Sequence, residues 1–210
     1  MSDKATIIES ESRDYPTALL GKAVSVFPRL WAIGNLEILK ERLIGLFCSA
    51  RCAGDMIVKT YDAVRVLRDA GVPVISGFHS PMEQECLSLL LRGTQPIVIC
   101  PARSIEGMRI PSDWVKPLAD NRLLVLSPFE RKHRHITVTL AEQRNRFVAV
   151  LASAMFVPYA APGSKIERLA LDLLGCGKKV MTLGFDQGGR LTTAGAASVT
   201  ADSLAGAIHR

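Results

Sequence analysis

Short apolar runs alternate with amphipathic stretches along most of this chain. Six mostly apolar runs recur between residues 43 and 183, and such runs are typical of strands buried on both faces. They span residues 43–48, 72–76, 96–100, 123–127, 155–159 and 179–183. Four of these runs are followed by a stretch whose apolar positions have the spacing of a helix, at residues 59–70, 81–92, 139–153 and 165–176.

This alternation predicts an α/β fold with a doubly wound, mostly parallel sheet of about six strands and helices on both faces. Residues 1–14 are polar and rich in Ser and Glu, which predicts a flexible tail. We expect residues 15–210 to form a single domain. Within it, residues 19–40 are expected to be an irregular lead-in with a few helical turns, and residues 101–120 an irregular arm. The last ~25 residues are expected to hold one edge element.

Composition narrows the class of protein. Of 210 residues, 48% are hydrophobic and 22% charged, which is typical of a globular protein. The apolar runs are shorter than the ~20 residues of a membrane helix, and the polar N-terminus does not resemble a secretory signal. Five cysteines predict reduced thiols and a cytoplasmic location. The net charge of +6 is compatible with a phosphate-bearing partner but does not require one.

Ligands of open parallel sheets bind where strands end and loops enter helices, so four such loops are of interest. The first follows the run at 43–48. In it, Ser49 offers a hydroxyl group and Arg51 a guanidinium that suits phosphate. The glycine patterns of dinucleotide and P-loop sites are absent, and Cys48 and Cys52 lack zinc-site spacing. A tight turn with a surface arginine remains the alternative.

The second loop follows the run at 72–76. Ser80 with Glu83 predicts a capping box at a helix start, which explains both residues without a ligand. We expect Gly77 and Phe78 to be exposed at this helix N-terminus, where backbone amides favour an anion. The Phe78 ring could stack on a base or simply be packed.

The third loop carries the basic run Arg131–His135, which is either a solvated loop or a contact for a nucleic-acid backbone. Thr139 with Glu142 predicts a helix start at residue 139. Arg144 lies on the apolar stripe of this helix with Phe147. An inward arginine is costly unless a carboxylate or a bound phosphate pairs with it.

The fourth loop follows the run at 155–159. Ser164 with Glu167 has the capping-box spacing, and Gly163 permits close approach of a ligand. Lys165 opposes the helix dipole, which is more reasonable if an anion lies nearby. In a parallel sheet the four loops would form one cationic pocket for phosphate groups. We predict no metal and no cofactor.

The order of these segments resembles the DNA-processing protein A (Smf) family. Five segments of that family have counterparts here in the same order. In the family they are the G-S-R turn, the S-G-x-A-x-G-I-D loop, the R-N-R-I-I-A-G-L-S segment, the S-G-S-L-x-T-A loop and the G-R-E-V-F-A-V-P-G strand. The counterparts are Cys48-Ser49-Ala50-Arg51, Ser76-Gly77, Arg144–Ala152, Pro162-Gly163-Ser164-Lys165 and Gly177–Val180. The first has one inserted residue, the second loses G-I-D, and the chain is too short for the flanking helical or winged-helix modules of many members.

The resemblance implies an extended Rossmann-like core that binds single-stranded DNA or a nucleotide, with a homodimer, a recombinase partner and no catalytic machinery. We expect Arg51, Arg144, Arg146 and Lys165 to clamp phosphates. The full set of expected phosphate-binding residues is Ser49, Arg51, Gly77, Phe78, Ser80, Arg144, Asn145, Arg146, Gly163, Ser164 and Lys165.

Two alternatives stay open. Pro162-Gly163 and Glu167 are similar to part of the P-G-G-x-G-T-x-x-E loop of phosphoribohydrolases resembling the cytokinin-activating LOG proteins. In such an enzyme Glu167 would assist attack of water on a nucleoside monophosphate, and Arg144 would hold the phosphate. The other alternative is a sensor of a nucleotide-derived ligand.

Overall fold

Nine strands in the described part of the chain form one continuous sheet. The computed structural model describes residues 5–21, 23, 25–50, 52, 54–184 and 189–209. The strands are β1 (Thr6–Glu9), β2 (Arg29–Gly34), β3 (Ile44–Leu46), β4 (Val74–Ser76), β5 (Ile97–Ile99), β6 (Leu123–Ser127), β7 (Ala154–Phe156), β8 (Val180–Leu183) and β9 (Ala197–Val199). The helices are α1 (Gly54–Asp69), α2 (Pro81–Leu90), α3 (Ser112–Ala119), α4 (Val138–Leu151), α5 (Lys165–Gly175), α6 (Arg190–Thr193) and α7 (Ala201–His209).

The sheet is parallel from β6 to β9 and antiparallel at one edge. Its order is β1-β2-β6-β5-β4-β3-β7-β8-β9, and β1 and β2 run antiparallel to their neighbours. The chain therefore builds outward from β3 through β4, β5 and β6, then returns to β7 on the other side of β3. This reversal is the topological switch point, where open α/β sheets bind ligands.

Helices cover both faces, as the doubly wound prediction requires. Along β4, Val74 packs with α1, α2 and α7, whereas its neighbour Ile75 packs with α4 and α5. This alternation follows from the period of two along a strand. Since every strand from β3 to β8 is buried along its length, each is apolar on both faces and easily recognised in the sequence.

Three predicted regions differ from the structure. The predicted tail contains β1, and the predicted lead-in contains β2, which pairs with β6 through registers such as Trp31 with Ser127. The predicted arm contains α3, a helix that tolerates Pro117 in its interior. Over the described residues the sheet therefore has nine strands rather than about six. At the C-terminus, β9 provides the expected edge strand and α7 packs back on α1.

Two further expectations concerned the state of the cysteines and the absence of a membrane helix. All five cysteines are free thiols in the structure. Helices in the described ranges lack the combination of length and apolar character that crossing a membrane demands.

Candidate nucleic-acid interface

The loops after β3 and β7 touch at the switch point. The Ser49 hydroxyl donates to the Ser164 hydroxyl at 3.2 Å and accepts a hydrogen bond from the Ala161 amide at 2.9 Å. Ser49 is buried, and Ser164 caps α5 by accepting from the Glu167 amide at 3.0 Å. Both hydroxyl groups therefore join the two loops rather than projecting freely.

Glu83 joins the loop after β4 to the loop after β3. Ser80 and Glu83 form the predicted capping box, with the Ser80 hydroxyl accepting from the Glu83 amide at 3.2 Å. The Glu83 carboxylate accepts from the amides of His79 at 3.0 Å and Ser80 at 3.3 Å. Its other oxygen accepts from the Cys48 amide at 3.1 Å. The sequence predicted only the local cap, and the bond between loops was missed.

Arg144 faces inward and packs directly on Gly77. Its side chain is only 4% exposed, and Nη1 donates to the Cys100 carbonyl oxygen at 3.0 Å, at the end of β5. Nε donates to Oδ1 of the half-buried Asn145 at 2.8 Å. A Cβ atom at Gly77 would overlap the Arg144 guanidinium, so glycine leaves the space that the arginine fills. Burial lowers the pKa of Arg144, and the charge of nearby Glu83 raises it in part.

These contacts answer the question of what pairs with the inward arginine. A carbonyl oxygen and an amide oxygen accept hydrogen bonds from Arg144 within the protein, and the charge of the Glu83 carboxylate acts on it as well. The part of Arg144 in the site is to hold the loops after β4 and β5 together. The loops after β7, β3, β4 and β5 thus lie side by side at the carboxyl edge of the sheet, and the loop after β6 comes next beyond that of β5.

Two local predictions are wrong. Phe78 has a φ of 46° and is only 5% exposed, because its ring packs in the core beside α1 and α2. It therefore offers no exposed stacking surface, and Gly77 is buried as well, contrary to the expectation, although His79 next to Phe78 is exposed. Helix α4 begins one residue before Thr139, and its cap is Thr137, whose hydroxyl accepts from the Leu140 amide at 3.2 Å.

The exposed positive charge of the site lies on α4 and α5. Lys165 Nζ lies 2.8 Å from Oε1 of Glu142, and both side chains are exposed. This hydrogen bond and the Lys165 charge lower the pKa of Glu142, and the charges of Arg146 and Arg168 lower it further. Lys165 thus contacts this carboxylate, and the charges of two further cations act on it. We call Glu142, Arg146, Lys165 and Arg168 the basic cluster; Glu142 and Arg168 were not predicted as members.

Glu167 lies beside a cavity at the carboxyl edge of the sheet. Glu167 as a whole is only 4% exposed, and its carboxylate accepts hydrogen bonds from the Gly163 amide at 2.8 Å and from Arg190 Nη1 at 3.1 Å. Gly163 adopts a φ of 73°, which suits glycine in this turn. Glu167 and Arg190 line a cavity of about 310 Å³ between the loops after β7 and β8, together with Tyr159 and Thr182.

Two points concern the remaining predicted groups. Arg51 lies outside the described residues, so its predicted role stays a prediction. Within the described ranges, His, Cys, Asp and Glu side chains do not gather into a group of three or more that could hold a metal ion.

Comparison with known families decides where this fold belongs. The family model for DNA recombination-mediator protein A matches residues 6–173. The chain belongs to the DNA recombination-mediator protein A family. No curated protein sequence matches it. The family match covers all four loops, the basic cluster, and both antiparallel strands that the apolar pattern did not predict.

Solved structures share the fold at low identity. DNA processing protein A from Streptococcus pneumoniae matches with a TM-score of 0.75 and 19% identity, over 97% of this chain and 75% of that one. The Helicobacter pylori protein, solved in a study of its single-stranded DNA binding mode, matches with a TM-score of 0.75 and 15% identity, over 100% of this chain and 98% of that one.

A third match lies outside the family. The molybdenum cofactor carrier protein of Chlamydomonas reinhardtii has a TM-score of 0.56 and 13% identity, over 80% of this chain and 97% of that one. Such a likeness shows the fold only, since one α/β fold supports many functions. Function has to be argued from the site.

Proposed function

We propose that this protein binds the phosphates of single-stranded DNA at the carboxyl edge of its sheet, in DNA processing. The basic cluster is the observation that carries the proposal. Its three cations against one carboxylate leave an excess of exposed positive charge beside the junction of Ser49 and Ser164. Family membership and the DNA binding of the Helicobacter pylori relative support the same ligand.

The proposal assigns different roles to the predicted residues. Arg146 and Lys165 contact phosphates, because both are exposed. Arg144 instead positions the loops, since its guanidinium is buried and already hydrogen-bonded. Arg51 is proposed as a third phosphate contact on the family resemblance alone.

Glu142 gives the proposal a sharp test, because it competes with phosphate for Lys165. We expect Glu142→Gln to raise the affinity for a fluorescein-labelled oligothymidylate, since it frees Lys165 and removes a negative charge. Lys165→Ala and Arg146→Ala should each weaken binding. Each should also reduce the slope of log affinity against log salt by about 0.7, the value for one phosphate contact on a single strand. Fluorescence anisotropy at several salt concentrations measures both quantities.

Lys116→Ala is the matched control. Lys116 on α3 also forms an exposed ion pair, with Asp120 at 3.1 Å just after the helix, so its loss changes the net charge equally at a distant site. This variant should bind like the unmodified protein. Equal weakening by Lys116→Ala and Lys165→Ala would mean that only overall charge matters. Absence of binding at low salt would overturn the proposal.

A nucleotide hydrolase is the second candidate, because Glu167 lines a cavity with Arg190. The two hydrogen bonds to the Glu167 carboxylate and its place after the Ser164 cap already give it a structural role. Incubation with AMP, GMP or CMP tests this candidate. Release of free base that Glu167→Gln abolishes would favour the enzyme, and stable nucleotides would exclude it for these substrates.

The homodimer and the recombinase partner are proposals that follow from the family resemblance, and the cytoplasmic location is a proposal that follows from the five cysteines. Light scattering during size-exclusion chromatography tests the first, and a pull-down with purified recombinase tests the second. Neither result alters the argument for the basic cluster, which depends on residues of a single chain.

A further inference from the structure

Two cysteines flank the predicted phosphate-binding residues of the loop after β3. Cys48 and Cys52 stand at the two ends of this stretch of sequence, and both are free thiols in the structure. Between them lie Ser49 and Arg51, which the sequence predicts as phosphate contacts. The proposed function uses neither thiol. A bond between the two sulfur atoms would act directly on this loop.

The two thiols already contact each other. Cys48 and Cys52 share a side-chain hydrogen bond, and both pack in the apolar cluster around α1 and α2. Sulfur atoms at hydrogen-bond distance need a shift of only about 2 Å to reach the length of an S–S bond. Cys86 on α2 belongs to the same cluster, but within the described residues the Cys52 thiol is hydrogen-bonded to Cys48.

The two thiols differ in their access to solvent. Cys48 is only 1% exposed, whereas Cys52 is half-buried, so a small oxidant reaches Cys52 first. Burial raises the pKa of Cys52, and its hydrogen bond with Cys48 lowers this pKa in part. Because the thiolate is the reactive form, oxidation of Cys52 is slow at neutral pH. The pair therefore responds to sustained oxidation rather than to a brief pulse.

Hydrogen bonds of the backbone hold one end of the loop. The Cys48 amide donates to Glu83 Oε1 at 3.1 Å, and the Ser49 amide donates to the Tyr159 carbonyl oxygen at 3.1 Å. Formation of an S–S bond therefore either moves the Cys52 end towards Cys48 or breaks these two hydrogen bonds. Each of these changes displaces the residues between the two cysteines, which are the predicted phosphate contacts.

We propose that Cys48 and Cys52 form a disulfide under sustained oxidation by a peroxide, and that this bond weakens the binding of single-stranded DNA. The effect on binding rests on the proposed function, in which Arg51 is a phosphate contact. The disulfide itself does not rest on it, because it depends only on the two thiols.

The reaction has two steps. Hydrogen peroxide first transfers one oxygen atom to the Cys52 thiol, which becomes a sulfenic acid, and the other oxygen leaves as water. The Cys48 sulfur then attacks the Cys52 sulfur. The S–S bond forms, the S–O bond breaks, and the hydroxyl group leaves with the Cys48 proton as a second water. The two thiols lose two electrons in total, which the peroxide accepts. A dithiol reductant restores both thiols by exchange.

Trypsin gives a direct readout, because it cleaves after Arg51, between the two cysteines. It places Cys48 in peptide 43–51, Cys52 in peptide 52–59 and Cys86 in peptide 69–92. The test uses the Cys176→Ser variant, which lacks the exposed thiol that would join two molecules. This protein is treated with hydrogen peroxide at pH 8 for several hours, with and without later dithiothreitol. Mass spectrometry identifies linked peptides, and fluorescence anisotropy with a labelled oligothymidylate measures affinity.

We expect oxidation to link peptide 43–51 to peptide 52–59. It should weaken DNA binding about fivefold at about 0.1 M salt and lower the slope of log affinity against log salt by about 0.7, the value for one phosphate contact on a single strand. Dithiothreitol should restore both quantities. The matched control is Cys52→Ser in the same background, which cannot form the disulfide. It should bind the oligothymidylate equally before and after treatment.

The outcomes separate this inference from the proposed function. If the two peptides stay unlinked, or if peptide 52–59 is linked to peptide 69–92 instead, the Cys48–Cys52 pair is refuted. If the disulfide forms and the affinity is unchanged, or if Cys52→Ser loses affinity equally, the effect on binding is refuted and the proposed function stands. If the disulfide forms but the reduced protein does not bind DNA at low salt, the proposed function is refuted, and the effect on binding is refuted with it.

Discussion

Substitution of Gly77 by alanine tests the central contact of the site. The added Cβ would overlap the Arg144 guanidinium, which would have to leave its position. Its hydrogen bond from Nη1 to the Cys100 carbonyl oxygen, 3.0 Å long, would then be lost. A hydrogen bond to a charged group contributes about 1.5–3 kcal/mol. We therefore expect Gly77→Ala to lower the free energy of unfolding by about 2–3 kcal/mol.

Thermal and urea denaturation measure this loss. For a protein of this length, about 2–4 °C of melting temperature corresponds to 1 kcal/mol, so the expected decrease is about 4–12 °C. Gly175→Ala is the matched control, because nothing lies within 4 Å of a Cβ added there. That variant should be neutral or slightly more stable, since alanine lowers the entropy of the unfolded chain.

A double-mutant cycle identifies the cause. In an Arg144→Ala background the three atoms nearest to the added methyl group are gone, so Gly77→Ala should cost less than about 0.5 kcal/mol. The coupling between the two sites would then be about 2 kcal/mol, within the range for residues in contact. An equal loss of unfolding free energy in both backgrounds would refute the reasoning, because the destabilisation by Gly77→Ala would then arise from the backbone and not from Arg144.

The remaining predictions concern the cap of α5 and the buried thiols. Ser164→Ala removes the acceptor of the Glu167 amide and the partner of Ser49, and should cost about 0.5–2 kcal/mol in urea denaturation; an unchanged midpoint would contradict this. Alkylation of the native protein at pH 8 should label exposed Cys176 well before Cys86 and Cys100, because burial raises the pKa of each of these thiols to about 12; peptide mass spectrometry measures the order. Because both values exceed the ~8.5 of an unfolded thiol, the folded chain keeps protons that the unfolded chain releases. The free energy of unfolding should therefore fall as pH rises from about 9 towards about 12, and a flat profile would contradict the assignment.

The amino-acid sequence by itself determined the centre of this fold. Strands β3 to β8 are buried on both faces, so each is a continuous apolar run that needs no knowledge of its neighbours. The caps at Ser80 and Ser164 were predictable for a similar reason, because a helix cap depends on residues only three positions apart. The inward direction of Arg144 followed from the period of its own helix.

Only the tertiary structure decided which groups meet. Strand β2 begins with exposed Arg29 and becomes a strand because it pairs with β6, far along the chain. The burial of Phe78 and the attraction between Lys165 and Glu142 likewise depend on neighbours distant in sequence. The periodicity of apolar residues and the spacing of capping residues depend only on the helix or strand to which a residue belongs. Charge pairing and access to solvent depend instead on how helices and strands pack against one another. The loops of the site could therefore be found from the sequence, but which of their residues are free to contact a ligand could not.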